Sequence, residues 1–269
     1  MTLDDIRKLI ENDSETKDLV LDNNELLTVY RYLNERNNIK DGYQAFLKTD
    51  PYIELVYLPT KEKIELDNRA KFKHHLMMFD SDIYLQDATL ENFRVSNGER
   101  EKTYNLAKEF LDNYSSTNYV KGLFIYGKYG TGKTYMLSAI ANELASRGIN
   151  VLMVFMPDLV RNIKAGISEG NMEEKINQLK QADILMLDDI GGENMTAWFR
   201  DEILLPIIQY RLSAKLPMFF SSNLKMEELV DALAISKHNE LDYVKSVRLI
   251  QRIRDLTTYI ALNEDQYKK

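Results

Sequence analysis

Two groups of residues in this chain have types and spacings that could do chemistry, and both suit a nucleoside triphosphate. Gly127, Lys128, Tyr129, Gly130, Thr131, Gly132, Lys133 and Thr134 run consecutively and fit the pattern GxxxxGK[ST] in full. Glycines at these spacings let backbone N–H groups converge on phosphate oxygens, and a helix opening at the end of the loop points its positive dipole end at them. Lys133 is placed to reach the β and γ phosphates, and the Thr134 hydroxyl to ligate Mg2+. The second group is Asp188-Asp189, at the end of the apolar run Ile184-Leu-Met-Leu187. Such a run reads as a strand buried on both faces, and open α/β sheets bind ligands at the carboxyl ends of their strands. Asp188 is then the Mg2+-side acid, and Asp189 the group that polarises an attacking water. Each string alone has a blander reading, a glycine-rich turn or a surface Asp pair capping a turn. Together they predict a site that binds and hydrolyses a nucleoside triphosphate.

Holding these groups in place calls for a parallel sheet. The apolar run Gly122-Leu-Phe-Ile-Tyr126 leads directly into the loop. Further strands are expected at 150–155, 183–188, 217–221 and 257–262, with the first at 121–126 and helical segments between them. That alternation predicts an α/β domain whose five-stranded parallel sheet is covered by helices on both faces. The fourth strand ends at Asn223, whose amide would lie near the γ phosphate and orient the water; the competing role is a cap on the helix starting near Lys225. In Val247-Arg-Leu-Ile-Gln-Arg-Ile-Arg254, Arg248 and Arg252 fall one turn apart on a helix face. The residues alone leave two readings open there, a solvated basic face or a guanidinium presented to another subunit's γ phosphate. Arg161 and Lys164, on the helix after the second strand, are equally open between a channel-facing and a solvated role.

The order of these segments carries a resemblance. Gly-x-x-x-x-Gly-Lys-Thr, Asp188-Asp-Ile-Gly-Gly-Glu193, Ser-Ser-Asn-Leu and Arg248-Leu-Ile-Gln-Arg-Ile-Arg254 together resemble AAA+ replicative helicase loaders of the bacterial DnaC/DnaI type, over roughly residues 88–262. The resemblance implies an AAA+ P-loop ATPase fold with ATP and Mg2+ as cofactors. It makes Asn223 the sensor-1 residue, Arg252 an arginine finger acting in trans, and Arg248 a sensor-2-like contact. It further implies ATP hydrolysis at the subunit interfaces of a homo-oligomer, and an N-terminal module that grips the replicative DNA helicase for loading onto single-stranded DNA. DnaI-type loaders carry a cysteine-ligated zinc module, whereas this chain has no cysteine. His74 and His75 are adjacent and would point to opposite sides of a strand, so no zinc is expected.

Composition bounds the rest. The 269 residues suffice for one large domain or two ordinary ones. The absence of cysteine excludes disulfides and thiolate metal sites. No apolar stretch approaches the roughly twenty residues needed to span a bilayer, and the acidic N-terminus is unlike a signal peptide. A soluble, cytoplasmic protein without membrane contact is the simplest expectation. Of the net charge of −7, residues 1–90 hold −6, from 12 Lys/Arg against 18 Asp/Glu. An acidic surface suits a protein partner better than nucleic acid. Leu3, Ile6, Leu9 and Ile10, then Leu19, Leu26, Leu27, Tyr30 and Leu33, recur at helical spacing. The stretches 53–58 and 63–66 read as two strands joined by a turn.

The expected organisation is therefore an α+β helicase-interaction module over 1–85, a linker over 86–98, a helix from Glu99 to Tyr114, and an ATPase domain over 99–269. Two other functions compete with a loader: a transposition helper ATPase, and an ATP-bound adaptor or inhibitor with little turnover.

Overall fold

The computed structural model describes residues 2–67, 70, 85–95, 98–192, 195–234 and 240–264. They fall into two compact units, Met1–Asp67 and Asn68–Lys269. His74, His75, the apolar residues Phe72, Met77, Met78 and Phe79, whose types suit a core rather than a ligand site, and Glu193 of the aspartate motif lie outside the described residues.

The first unit starts with two capped helices, α1 (Leu3–Glu11) and α2 (Asn23–Glu35). Thr2 and Asp5, and again Asp22 and Glu25, exchange side-chain and backbone hydrogen bonds in reciprocal capping boxes. These satisfy N–H groups that a helix start leaves without partners. Ile6 and Ile10 of α1 meet Leu26 and Val29 of α2 in a small core, with Leu19, Leu47 and Ile53 packed against it. A two-stranded antiparallel sheet follows, β1 (Tyr43–Lys48) and β2 (Glu54–Pro59), with Phe46 opposite Val56.

Here the structure corrects the sequence reading. The strand expected at 53–58 forms, but its partner is β1 rather than 63–66, and residues 61–67 are helical (α3). The alternation Lys63-Ile-Glu-Leu66 imitates a strand. Local interactions decide otherwise: the Thr60 hydroxyl accepts the Lys63 N–H at 3.2 Å, and Lys63 pairs with Asp67 one turn on at 2.9 Å.

The second unit is a five-stranded parallel sheet in the order β4-β5-β6-β3-β7. Its strands are β3 (Gly122–Tyr126), β4 (Val151–Phe155), β5 (Ile184–Asp188), β6 (Met218–Ser222) and β7 (Thr257–Ala261). Each lies within a residue or so of its expected position. Side chains alternate between two cores, as the pleat demands. Phe124, Leu152, Val154, Leu185, Leu187 and Phe220 face one layer, containing α6 (Met156–Glu169), α7 (Met172–Gln181), α8 (Leu205–Ala214), α9 (Met226–Leu233) and α10 (Glu240–Leu256). Leu123, Ile125, Met153, Met186 and Phe219 face α4 (Glu99–Asn113) and α5 (Lys133–Ser146).

Two buried arginines fasten this frame. Arg211 on α8 donates to the carbonyls of Leu179, Lys180, Ala182, Asp183 and Pro217, tying the end of α7 to the starts of β5 and β6. Burial lowers its pKa to about 10. Arg200 lies in a π-helical turn, Phe199–Leu204, that runs into α8. It pairs with Asp201 at 2.7 Å and with Asp242 of α10 at 2.6 Å, and so sets the position of α10. No residue pattern signals that turn in advance.

Candidate functional site

The site lies at the carboxyl edge of the sheet, where β3, β5 and β6 end side by side. β3 passes at Gly127 into the loop, whose first residue is pressed against the chain beyond β7. A Cβ on Gly127 would sit 1.9 Å from the Leu262 carbonyl oxygen, so no larger residue fits. Gly132 holds a left-handed conformation, φ 98°, as the cap from which α5 starts, a backbone that glycine adopts without a Cβ penalty.

Lys133, the first residue of α5, is 6% exposed, and its side chain returns over the loop. The ammonium donates to the Gly127 carbonyl at 2.8 Å, the Lys128 carbonyl at 2.9 Å and Asn223 Oδ1 at 2.8 Å. Asn223 follows β6 and in turn donates its Nδ2 to Asp189 Oδ1 at 2.7 Å. A continuous path thus runs from Lys133 through Asn223 to Asp189. The capping role for Asn223 is not what the structure shows, since Lys225 is the N-cap of α9.

Thr134 Oγ1 donates to Asp188 Oδ2 at 2.9 Å. The other oxygen of Asp188 accepts from the Ser221 hydroxyl, and that hydroxyl accepts the Asp189 N–H at 2.9 Å. Asp189 takes a left-handed backbone, φ 59°, which swings its carboxylate towards Asn223 while Asp188 stays in the strand.

The electrostatics follow from burial. Asp188 is 2% exposed, and desolvation pushes its carboxyl above the usual carboxylate range against the hydrogen bonds of Ser221 and Thr134. Burial also raises Asp189, opposed by the nearby Lys133 charge. The same desolvation lowers Lys133, opposed by both aspartates. Desolvation dominates all three groups, and the neighbouring charges oppose it for Lys133 and Asp189. The hard oxygens of Thr134 and Asp188, adjacent and partly desolvated, are a donor set suited to Mg2+.

The structure therefore brings Lys133, Thr134, Asp188, Asp189 and Asn223 together. Gly130 and Tyr129 form the loop's outer rim, with Tyr129 fully out in solvent, while the Thr131 hydroxyl closes back on the Lys128 carbonyl at 3.0 Å. Arg248 and Arg252 stand apart from this group in their described contacts. Arg252 Nε donates to Gln209 of α8, and its guanidinium also reaches the Arg248 carbonyl at 3.3 Å. Arg161 pairs with Asp158 within α6 at 2.7 Å.

Ser221 was missed in the sequence. Its signal was the serine pair at the end of an apolar strand beside Asn223, a place where hydroxyls have no reason to be buried unless they hold something.

The chain is similar to known proteins over most of its length. A family model described as IstB-like ATP binding protein matches residues 48–241. The replicative helicase loader DnaI of Bacillus subtilis (strain 168) is 34% identical, over 96% of this chain and 88% of its own length. A crystal structure of DnaI superposes with a TM-score of 0.62 at 38% identity, covering 66% of this chain and 92% of that one. A structure of AMPPCP-bound DnaA from Aquifex aeolicus superposes with a TM-score of 0.55 at 26% identity, covering 67% of this chain and 51% of that one. The sheet is thus that of an AAA+ P-loop protein, and the chain belongs to the AAA+ replicative helicase loaders of the bacterial DnaC/DnaI type, an IstB-like ATP-binding family.

Proposed function

We propose that this chain is an ATPase that loads a replicative hexameric DNA helicase onto single-stranded DNA, in the cytoplasm, with ATP hydrolysed between its own copies. The observation that carries the reading is the path from Lys133 through Asn223 to Asp189 beside the Thr134–Asp188 pair. On this reading Lys133 is the phosphate-seeking cation, Asn223 the water-orienting amide and Asp189 the base, all on one sheet edge. In the reaction the Lys133 ammonium would exchange its carbonyl partners for phosphate oxygens. Asn223 would keep Asp189 aimed at the attacking water, and Asp189 would take its proton. Thr134 and Asp188 would hold Mg2+, which when bound supplies charge neutralisation on the phosphates. Arg252, on a helix outside this cluster, suits a contact to a neighbouring copy's γ phosphate, with Arg248 beside it. The 1–85 module would grip the helicase, joined by the 86–98 linker to the ATPase domain.

The likeness to DnaI extends over 96% of the chain and so takes in the acidic first unit, whereas the IstB-like match begins at residue 48. That breadth favours a loader over a transposition helper.

Native mass spectrometry of the protein with its host's replicative helicase, in ATP, in ADP and without nucleotide, tests the reading. A defined complex whose stoichiometry changes with ATP, and an Lys133→Ala variant with turnover reduced about 100-fold or more, are expected. No complex in any nucleotide state would remove the loader assignment, and turnover undiminished in the variant would remove the site.

A further inference from the structure

Arg100, in the first turn of α4, is a third buried arginine among the described residues and differs from the other two. Arg200 answers two carboxylates and Arg211 fastens the far edge of the sheet. Arg100 instead reaches the phosphate loop itself. It is 2% exposed, its Nε donates to the Arg94 carbonyl at 2.6 Å, and one terminal nitrogen donates to the Thr131 carbonyl at 2.8 Å. Its guanidinium lies over the Phe93 ring, 4.2 Å from the centroid.

The loop needs such a hold. Gly130 and Gly132 take positive φ values of 78° and 98°, so the peptides between them are free to rotate at little steric cost. A phosphate loop works only when its N–H groups converge on one point. In a trans peptide the C=O and the next N–H point in opposite directions. Fixing the Thr131 carbonyl on Arg100 therefore directs the Gly132 N–H away from the guanidinium. Arg100 is itself held still by Arg94 and Phe93. Burial makes its charge costly and lowers its pKa for that reason, and that charge lies one peptide behind the Gly132 N–H.

We propose that Arg100 is a positioning residue for the phosphate loop, holding the Thr131–Gly132 peptide so that the Gly132 N–H faces the triphosphate. The inference rests on the reading of the loop as an ATP site. It also makes the 86–98 segment part of that site's support, because Arg94 and Phe93 belong to it.

The test uses the full-length protein and Arg100→Met, which keeps bulk and removes every donor. Dissociation constants for ATP and for adenosine are measured by calorimetry, and the Gly132 amide is followed in 15N-correlated NMR spectra. The expected result is ATP binding weakened about 10- to 100-fold, adenosine binding changed by less than about twofold, and a displaced Gly132 resonance. Equal weakening of ATP and adenosine, or unchanged ATP binding with an unmoved Gly132 resonance, overturns the proposal. If Arg100→Met does not fold, Arg100→Lys decides on the same comparison: selective loss for ATP supports the proposal, and equal effects overturn it. Wild-type protein that binds no ATP overturns the ATP reading and this inference with it.

Discussion

The two units solve the problem of stability in different ways. The first, Met1–Asp67, has a core cluster of four buried apolar side chains and relies on its surface: two capping boxes, and Arg36 bridging Asp13 and Glu15. The second buries both faces of a five-stranded sheet and carries Lys133, Asp188, Arg200 and Arg211 inside. A small unit buries too little of its chain to tolerate a desolvated charge, whereas a large core offsets several. Reactive groups with shifted pKa values need just such desolvation. The proposed division of labour would follow from this: chemistry where apolar burial is in excess, and partner contacts left to the lean unit.

Breaking the comparison is simplest in the large unit. Arg211→Met strips donors from five carbonyls, three of them buried, and should lower the stability of the second unit by about 3–5 kcal/mol. Trp198, the chain's single tryptophan, reports that unit's urea unfolding. A loss below about 1 kcal/mol would mean that relief of the buried charge matches the bonds removed.

In the small unit Leu26→Ala should cost about 2–4 kcal/mol, enough to remove amide-exchange protection from α1 and α2. The Trp198 transition and ATP turnover measured without helicase should not move. If they fall together with exchange protection, the two units are one cooperative body and the contrast fails.

The smallest effect sharpens the contrast rather than breaking it. Asp22→Ala deletes one capping box and should cost about 1 kcal/mol, read from exchange in α2. An equal effect on Trp198 unfolding would again join the units.

The large unit was the more legible of the two in the sequence. Runs such as Ile184-Leu-Met-Leu187 are continuous because both faces are covered, and their charged ends mark where the sheet stops. The loop and Asp188 were legible for the same reason, since their spacing is dictated by the sheet edge. Ser221 was harder to read because the serine pair at the end of its strand signals buried hydroxyls but not what they hold. Its role depends on Asp188 arriving from a strand formed elsewhere in the chain. The first unit misled where its signals were weak. Tyr43-Gln-Ala-Phe-Leu-Lys48 is half polar and only partly buried, while 63–66 alternates like a strand but is claimed by the Thr60 cap. The roles of Arg248 and Arg252 turn on a neighbour's surface, which no single chain spells out.

The sheet order has a consequence for how the molecule is made. β3 bears the phosphate loop, yet its partners are β6 and β7: Phe124 pairs with Phe220, and Gly122 with Thr257. Pairings so distant in the chain close large loops and form slowly. A growing polypeptide that has emerged as far as Asp189 contains every residue of both motifs, but not the strands that seat the loop beside Asp188. Competence to bind nucleotide would therefore arrive late and abruptly during synthesis, so that an unfinished chain does not capture ATP prematurely.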